Sequence, residues 1–302
     1  MESLVLPLPF NAATITGLSP RLLESHHANN YAGAVKRLNA IRAELRALNF
    51  ADAPGFEVNG LKREELIAAN SMVLHELYFA SLGGAGQAMA PPMELALAGS
   101  FGSLARWREE FVAMGKALGG GSGWVLLMFE PKSATLVNQW AADHTGVLAG
   151  GFPLLALDMY EHAYHLDYGA AAGAYVDAFV ANINWAGTYP RYQAAVHAAS
   201  EPYVASQEDV AKALVLDVRR AGVYAQAQDM VAGARWQDPA LVSDWGPQLP
   251  RDQAVVVYCV YGHEVGRTTA MRLRAAGVDA RFLDGGFEGW KAAGLPLQPV
   301  TR

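Results

Sequence analysis

The stretch Asp158-Met-Tyr-Glu-His162, preceded by Leu154-Leu-Ala-Leu157 and followed by Ala163-Tyr-His165, decides how the chain is read. A short aliphatic run of this kind has the composition of a strand. It ends on a carboxylate, and an imidazole follows four residues later. From about His162 to Ala181 the pattern reads as helix. If the segment between them turns helically, Asp158 and His162 reach one point. Carboxylate oxygen and imidazole nitrogen together suit iron or manganese as well as zinc.

Working outward, six other histidines stand at positions 26, 27, 75, 144, 165 and 197, and an eighth at 263. Ser19-Pro20 is a helix start, with serine as cap and proline in the first turn. From there to Leu48 apolar residues recur at three and four: Leu22, Leu23, Val35, Leu38, Ile41, Leu45. Asp52-Ala-Pro-Gly55 breaks the pattern, and a second helix is expected from about Lys62 to Leu82, stopping at Gly83-Gly84. An antiparallel helical hairpin brings His26 on the first helix towards His75 on the second. Pro91-Pro92 marks a boundary, and a helical stretch follows through Trp107 and Phe111. Trp124-Val-Leu-Leu-Met-Phe129 is a strand by composition, with Ala134 to Val137 as its hairpin partner.

The chain has 302 residues, 52% hydrophobic and 17% charged, so two domains are expected and disorder is not. A net charge of −6 argues against nucleic acid or an anionic membrane as partner. No uncharged apolar run reaches the roughly 18 residues of a membrane span. One cysteine excludes an internal disulfide framework and a Cys-rich zinc site. Met1-Glu-Ser-Leu-Val-Leu-Pro-Leu-Pro-Phe-Asn11 has no secretory pattern, and a cytoplasmic location is expected. Gly119-Gly-Gly-Ser-Gly123 lacks the lysine of a phosphate loop and reads as a turn.

A set of short words recurs in fixed order: Leu6-Pro-Leu-Pro-Phe10, His26-His27, Val35-Lys-Arg-Leu-Asn39, Ser100-Phe-Gly-Ser103, Gly121-Ser-Gly-Trp124, Asn138-Gln139, Asp158-Met-Tyr-Glu-His-Ala-Tyr164 and Asn182-Ile-Asn-Trp185. Over about residues 1–195 this set resembles the iron/manganese superoxide dismutase family. The resemblance implies a helical hairpin (1–90) followed by an α/β part with a small antiparallel sheet (91–197). It implies one iron or manganese ion per subunit on His26, His75, Asp158 and His162. It further implies that Gln139 hydrogen-bonds the metal-bound solvent, that Trp124 walls the pocket, and that Glu161 reaches a ligand histidine of a partner subunit in a homodimer. The substrate it implies is superoxide. Around that centre the chain departs from the family. Asn30, Ala34 and His165 stand where the family keeps its gateway histidine and two tyrosines, and Tyr160 replaces a tryptophan. Next to His75 the chain has Leu77-Tyr78-Phe79. Tyr31 and His165 are the candidates for a substitute proton relay.

Ala198-Ala-Ser-Glu-Pro202 is polar and weakly patterned, and a linker is expected there. Beyond it, Ala213 to Asp217, Ala254 to Tyr258 and Ala280 to Leu283 read as strands, and Thr268 to Ala276 as helix, which predicts a parallel sheet covered by helices. Cys259 ends one strand ahead of a helix beginning at Gly266, where backbone N–H groups and the helix dipole favour thiolate. Leu216-Asp-Val-Arg219, Leu283-Asp-Gly-Gly-Phe-Glu-Gly-Trp290 and Gly294-Leu-Pro296 accompany it. This set resembles the rhodanese domain over residues 203–302. The resemblance implies that Cys259 carries a sulfane sulfur, that the loop Val260, Tyr261, Gly262, His263, Glu264, Val265 surrounds it, and that Arg219 is structural or steers an anion. Glu264 beside the sulfur is expected to repel thiosulfate and raise the thiol pKa. Arg267 lies eight residues after Cys259, not the six that the related phosphatases need. His263 reads as solvent-exposed rather than as a base. The function expected is superoxide dismutation with an appended sulfur-carrier or redox module. The competing readings are a metal-binding protein without turnover, and a sulfurtransferase whose N-terminal part is a dimerisation scaffold.

Overall fold

Ser19 opens the first long helix as its sequence requires, its hydroxyl accepting from the Leu22 amide at 3.1 Å with Pro20 in the first turn. A computed structural model describes residues 2–300, so the ends of both expected domains, Met1 and Thr301-Arg302, lie outside the described residues. The helix runs from Pro20 to Ala47, with a π-helical segment at His26–Tyr31 that the apolar spacing does not announce. Wide turns of this kind recur at functional sites. The second helix, Gly55–Ala80, starts seven residues earlier than expected, because the break ends at Pro54, which fits the position just before a helix. Leu38 and Ile41 pack on Ala68, with Leu45, Leu61 and Met72 around them, and this apolar seam closes the hairpin.

Two further helices, Pro91–Phe101 and Leu104–Ala117, precede a three-stranded antiparallel sheet. Its middle strand is Trp124–Glu130, flanked by Thr135–Ala141 and Phe152–Asp158. The continuous helix expected from His162 to Ala181 is interrupted. A 3-10 turn (Glu161–Ala163), a single helical turn (His165–Tyr168) and the helix Ala172–Ala181 replace it. Gly169, at φ +52°, breaks the run. The helix Trp185–Ser200 then continues through Ala198-Ala-Ser200, and a 3-10 turn covers Glu201–Tyr203, so the stretch expected as a linker is helical. The chain divides into two compact units, residues 1–128 with 136–189, and residues 129–135 with 190–302.

The second unit holds a five-stranded sheet in the order Val204–Ala205, Ala280–Leu283, Val255–Tyr258, Leu214–Asp217, Arg235–Trp236, with every pairing parallel. Leu297–Pro299 pairs antiparallel with Asp229–Val231. The three strands expected from composition are present. The sheet is covered on both faces, which explains their unbroken apolar character: Val256 and Tyr258 pack with Phe287 and Trp290, Val255 and Val257 with Leu273 and Phe282. The helix after Cys259 spans Glu264–Ala275, so Glu264 and Val265 belong to its first turn and not to a loop.

The Asp284-Gly-Gly-Phe287 turn explains its own glycines. Gly286 sits at φ +57°, and a Cβ there would lie 2.5 Å from both the Cys259 carbonyl oxygen and the Gly262 nitrogen. The amides of Phe287 and Glu288 donate to the carbonyls of Cys259 and Val260 at 2.8 and 2.9 Å. The turn therefore pins the cysteine loop by backbone contact. Gly286→Ala adds a left-handed non-glycine residue, costing about 1–2 kcal/mol, to a direct clash. A destabilisation of the second unit by at least about 2 kcal/mol is expected, measured by urea denaturation followed through the tryptophans, whereas Gly222→Ala, in open space, is expected to change little.

Candidate functional site

His26 begins the π-helical segment, His75 lies near the end of the second helix, Asp158 closes the strand Phe152–Asp158, and His162 lies in the 3-10 turn. The structure brings these four side chains together. One ligand atom from each lies within 4.8 Å of all the others. Asp158 Oδ2 is 3.2 Å from His26 Nε2, 3.5 Å from His75 Nε2 and 3.2 Å from His162 Nε2, and the Nε2 atoms of His75 and His162 are 3.5 Å apart. Ligands about 2.1 Å from one ion, at about 90–120° to one another, are separated by about 3.0–3.6 Å, so the spacing fits a single transition-metal ion. Both ring nitrogens of His26 are buried without a hydrogen-bond partner, although Nε2 is close to the carboxylate. Buried polar atoms left in this way point to a missing partner.

The supporting bonds fix which atoms face the centre. His75 Nδ1 donates to the Ser71 carbonyl at 2.6 Å, which leaves the Nε2 lone pair free for a ligand. The Tyr160 amide donates to Asp158 Oδ1 at 2.9 Å, turning Oδ2 towards the imidazoles. Tyr175 donates its hydroxyl to the Asp158 backbone carbonyl at 2.7 Å. Burial, with the charges of His26 and His162, outweighs the Asp158 carboxylate and pulls His75 down to about 3. Burial lowers His26 as well. Burial opposes ionisation of Asp158, but hydrogen bonds and charge from His162 and His26 prevail and hold it well below the usual carboxylate range. The lowering of His26 and His75 beside an ionised carboxylate favours the unprotonated nitrogens that a cation needs.

In the second unit, Cys259 ends the strand Val255–Tyr258 and is buried. Burial raises its thiol above the ordinary value, while hydrogen bonds from the amides of Gly266, Gly262, Tyr261 and His263 pull the other way. The convergent amides anticipated around the sulfur are present, but desolvation, which the sequence position does not reveal, prevails over them. Gly262, at φ +72°, allows the close turn. Arg219 forms a buried fork with Asp217 and donates to the Asp229 carbonyl at 2.9 Å, so its role is structural. Arg267 is buried and donates to the Gly262 carbonyl at 2.8 Å, to Ser200 Oγ at 3.1 Å and to Asp284 at 3.0 Å. His263 is exposed, as expected.

Residues 90–190 match the model of the iron/manganese superoxide dismutases, C-terminal domain, and residues 202–293 match the rhodanese-like domain. The superoxide dismutase [Fe] of Cupriavidus metallidurans is 61% identical over 190 residues, covering 63% of this chain and 96% of that protein. The superoxide dismutase [Mn] 1 of Halobacterium salinarum is 34% identical over 193 residues, 63% of this chain and 94% of that protein. The superoxide dismutase [Fe] of Aquifex pyrophilus is 34% identical over 192 residues, 61% of this chain and 88% of that protein. The chain belongs to the iron/manganese superoxide dismutase family. A rhodanese-like domain follows the dismutase-like one.

In this family member the Gln139 side-chain amide is engaged by backbone. Its amide nitrogen donates to the Gly146 carbonyl at 2.5 Å and its oxygen accepts from the Leu148 amide at 2.9 Å, so it ties down the loop that follows its strand. That loop delivers His144, a residue that the sequence reading placed among the histidines without a role. The His144 ring lies 6.2 Å from His75, and its Nδ1 accepts from Trp124 Nε1 at 3.1 Å. Tyr160 stacks between His144 and His162, with ring centroids 4.9 and 5.4 Å away. Trp124, fully buried, stands edge-on to His75 at 5.2 Å, and Tyr78 lies 5.0 Å from His26. Tyr31 is buried, but its hydroxyl accepts from the Leu6 amide at 2.9 Å and donates to Glu76 at 3.0 Å. His165 and Glu161 are exposed. Among the described residues no helix is long and apolar enough to cross a membrane.

The lowered His75 sets a pH signature of the metal-free protein. The unfolded chain takes up a proton near 6.5 and the folded one near 3, so stability is full above 6.5 and is lost as pH falls through that window. The melting temperature of metal-free protein is expected to fall steadily from pH 6.5 to pH 4, and His75→Gln to flatten that slope.

Proposed function

We propose that the first domain converts superoxide to dioxygen and hydrogen peroxide, using one iron or manganese ion per subunit held by His26 Nε2, His75 Nε2, Asp158 Oδ2 and His162 Nε2. The convergence of these four atoms carries the proposal. An iron or manganese ion held there would supply the one-electron chemistry that oxidises one superoxide and reduces a second with uptake of two protons. The chain's residues hold and enclose it. Ser71 and the Tyr160 amide fix the directions of His75 and Asp158, and Tyr78, Trp124 and Tyr160 surround the ligands with aromatic rings that exclude bulk water. Because His144 Nδ1 accepts from Trp124, its ring proton sits on Nε2, where it is a hydrogen-bond donor. His144 thus takes the supporting place assigned from sequence to Gln139.

The same reading makes the chain a cytoplasmic homodimer associating through the first domain, with Glu161 exposed as a residue that reaches a partner subunit must be. It divides the functional modules at residues 1–197 and 203–302. Cys259 serves as the sulfur carrier of the second module, and the four amides aimed at its sulfur favour that role by stabilising an anionic persulfide.

Elemental analysis with a stopped-flow superoxide assay tests the proposal. Wild-type protein is expected to hold close to one iron or manganese per chain and to consume superoxide, while Asp158→Asn loses both. A loaded but inactive wild type would instead show a metal-binding protein. His144→Ala keeps the metal and loses about 10–100-fold in rate, as changes to groups that support metal ligands do. Tyr31→Phe leaves the rate unchanged, since its hydroxyl is engaged with Leu6 and Glu76.

A further inference from the structure

The loop after Cys259 forms one wall of a cleft of about 350 Å³, lined by Tyr261, Gly262, His263 and Glu264 on that side and by Gln193, His197, Arg267, Asp284 and Gly285 on the others. Glu264 decides its character. The residue is 8% exposed, and its Oε2 is buried with no hydrogen-bond partner. A carboxylate oxygen in this state costs free energy unless a donor or cation meets it. Asp284 adds a second carboxylate, mostly exposed. Among the described residues of the cleft wall Arg267 is the one lysine or arginine, and its guanidinium is already engaged by the Gly262 carbonyl, Ser200 and Asp284. Tyr261 stands at the cleft with more than half of its surface exposed, offering a ring face of the kind that binds ammonium groups.

We propose that this cleft selects a sulfur donor carrying an ammonium group, an aminothiol persulfide, and that Glu264 is the residue that determines the choice. The inference rests on the sulfur-carrier reading of Cys259 and adds the class of donor. With Asp284 paired to Arg267, the Glu264 carboxylate attracts the ammonium and repels a dianion such as thiosulfate at the mouth of the loop. In the transfer, the Cys259 thiolate attacks the outer sulfur of the donor persulfide. A bond forms between Sγ and that sulfur, the donor's sulfur–sulfur bond breaks, and the aminothiol leaves as its thiolate, which takes a proton from water. The sulfane sulfur keeps its oxidation state on passing between the two thiols, so no outside oxidant enters.

The 302-residue chain tests this directly, because Cys259 is its one cysteine. Its sulfur loading is followed by intact mass with cysteamine persulfide, 3-mercaptopropionate persulfide and thiosulfate as donors. Wild type is expected to load from cysteamine persulfide at least about tenfold faster than from either anionic donor, equivalent to about 1.4 kcal/mol. Glu264→Gln, of the same shape, is expected to bring the ratio to within about threefold. Added salt acts likewise on the wild type, which keeps the test independent of how the variant folds. Equal or faster loading from the anionic donors, or an unchanged preference in Glu264→Gln, would overturn the selectivity while leaving Cys259 a sulfur carrier. If no donor adds sulfur to wild type, the carrier reading falls and the selectivity with it.

Discussion

Asp158 is the group on which the first domain turns. It is a fully buried carboxylate, ionised well below its ordinary range, and it faces three imidazole nitrogens at 3.2–3.5 Å. Burial lowers two of those imidazoles, His26 and His75, below the usual histidine range. A buried charge is unstable in a protein interior unless partners such as these imidazoles, or a cation sharing the site, meet it. The helical hairpin, the strand end and the 3-10 turn each deliver one part of the arrangement, and the aromatic residues around it keep the surroundings apolar. Folding brings these donors together at the expense of burying polar atoms, and metal binding offsets that expense.

The second domain uses backbone where the first uses side chains. Its cysteine loop is shaped by glycines at positive φ and by carbonyls bound to the following turn, and its sulfur is met by amides rather than by a base. Arg219, which sequence position alone leaves open to anion steering, holds the scaffold instead, as does Arg267. The departures from each family pattern therefore have different consequences. In the dismutase-like domain the four converging side chains are all present, and His144 and Tyr160 stand beside them. In the rhodanese-like domain the backbone frame is present, and Glu264 stands in the first helical turn after the cysteine loop with a buried, unpartnered carboxylate oxygen.

Much of this was legible in the chain. The strands Leu214–Asp217, Val255–Tyr258 and Ala280–Leu283 are apolar because both sheet faces are covered, and their composition shows it. The four converging side chains sit in sequence words whose order is specific, so they were readable before any geometry. The position of His144 was not. Gln139 lies on the return strand of a hairpin and His144 in the loop after it, and the path of that loop decides which side chain stands beside the centre. Local composition is silent on that path. The π-helical turn at His26–Tyr31 likewise leaves no periodic signature, since one extra residue in a turn is lost among helical spacings. The helix start at Glu264 was hidden because loop and first turn favour the same polar residue types. The raised Cys259 depends on burial by distant chain segments, which strand-and-turn patterns do not contain.

Anomalous diffraction from crystals of the purified protein, collected on both sides of the iron and manganese absorption edges, interrogates the first domain most directly. One strong peak is expected, at bonding distance from His26 Nε2, His75 Nε2, Asp158 Oδ2 and His162 Nε2 together. Well-ordered density for all four side chains with no anomalous peak among them, in protein grown with both metals, would contradict it.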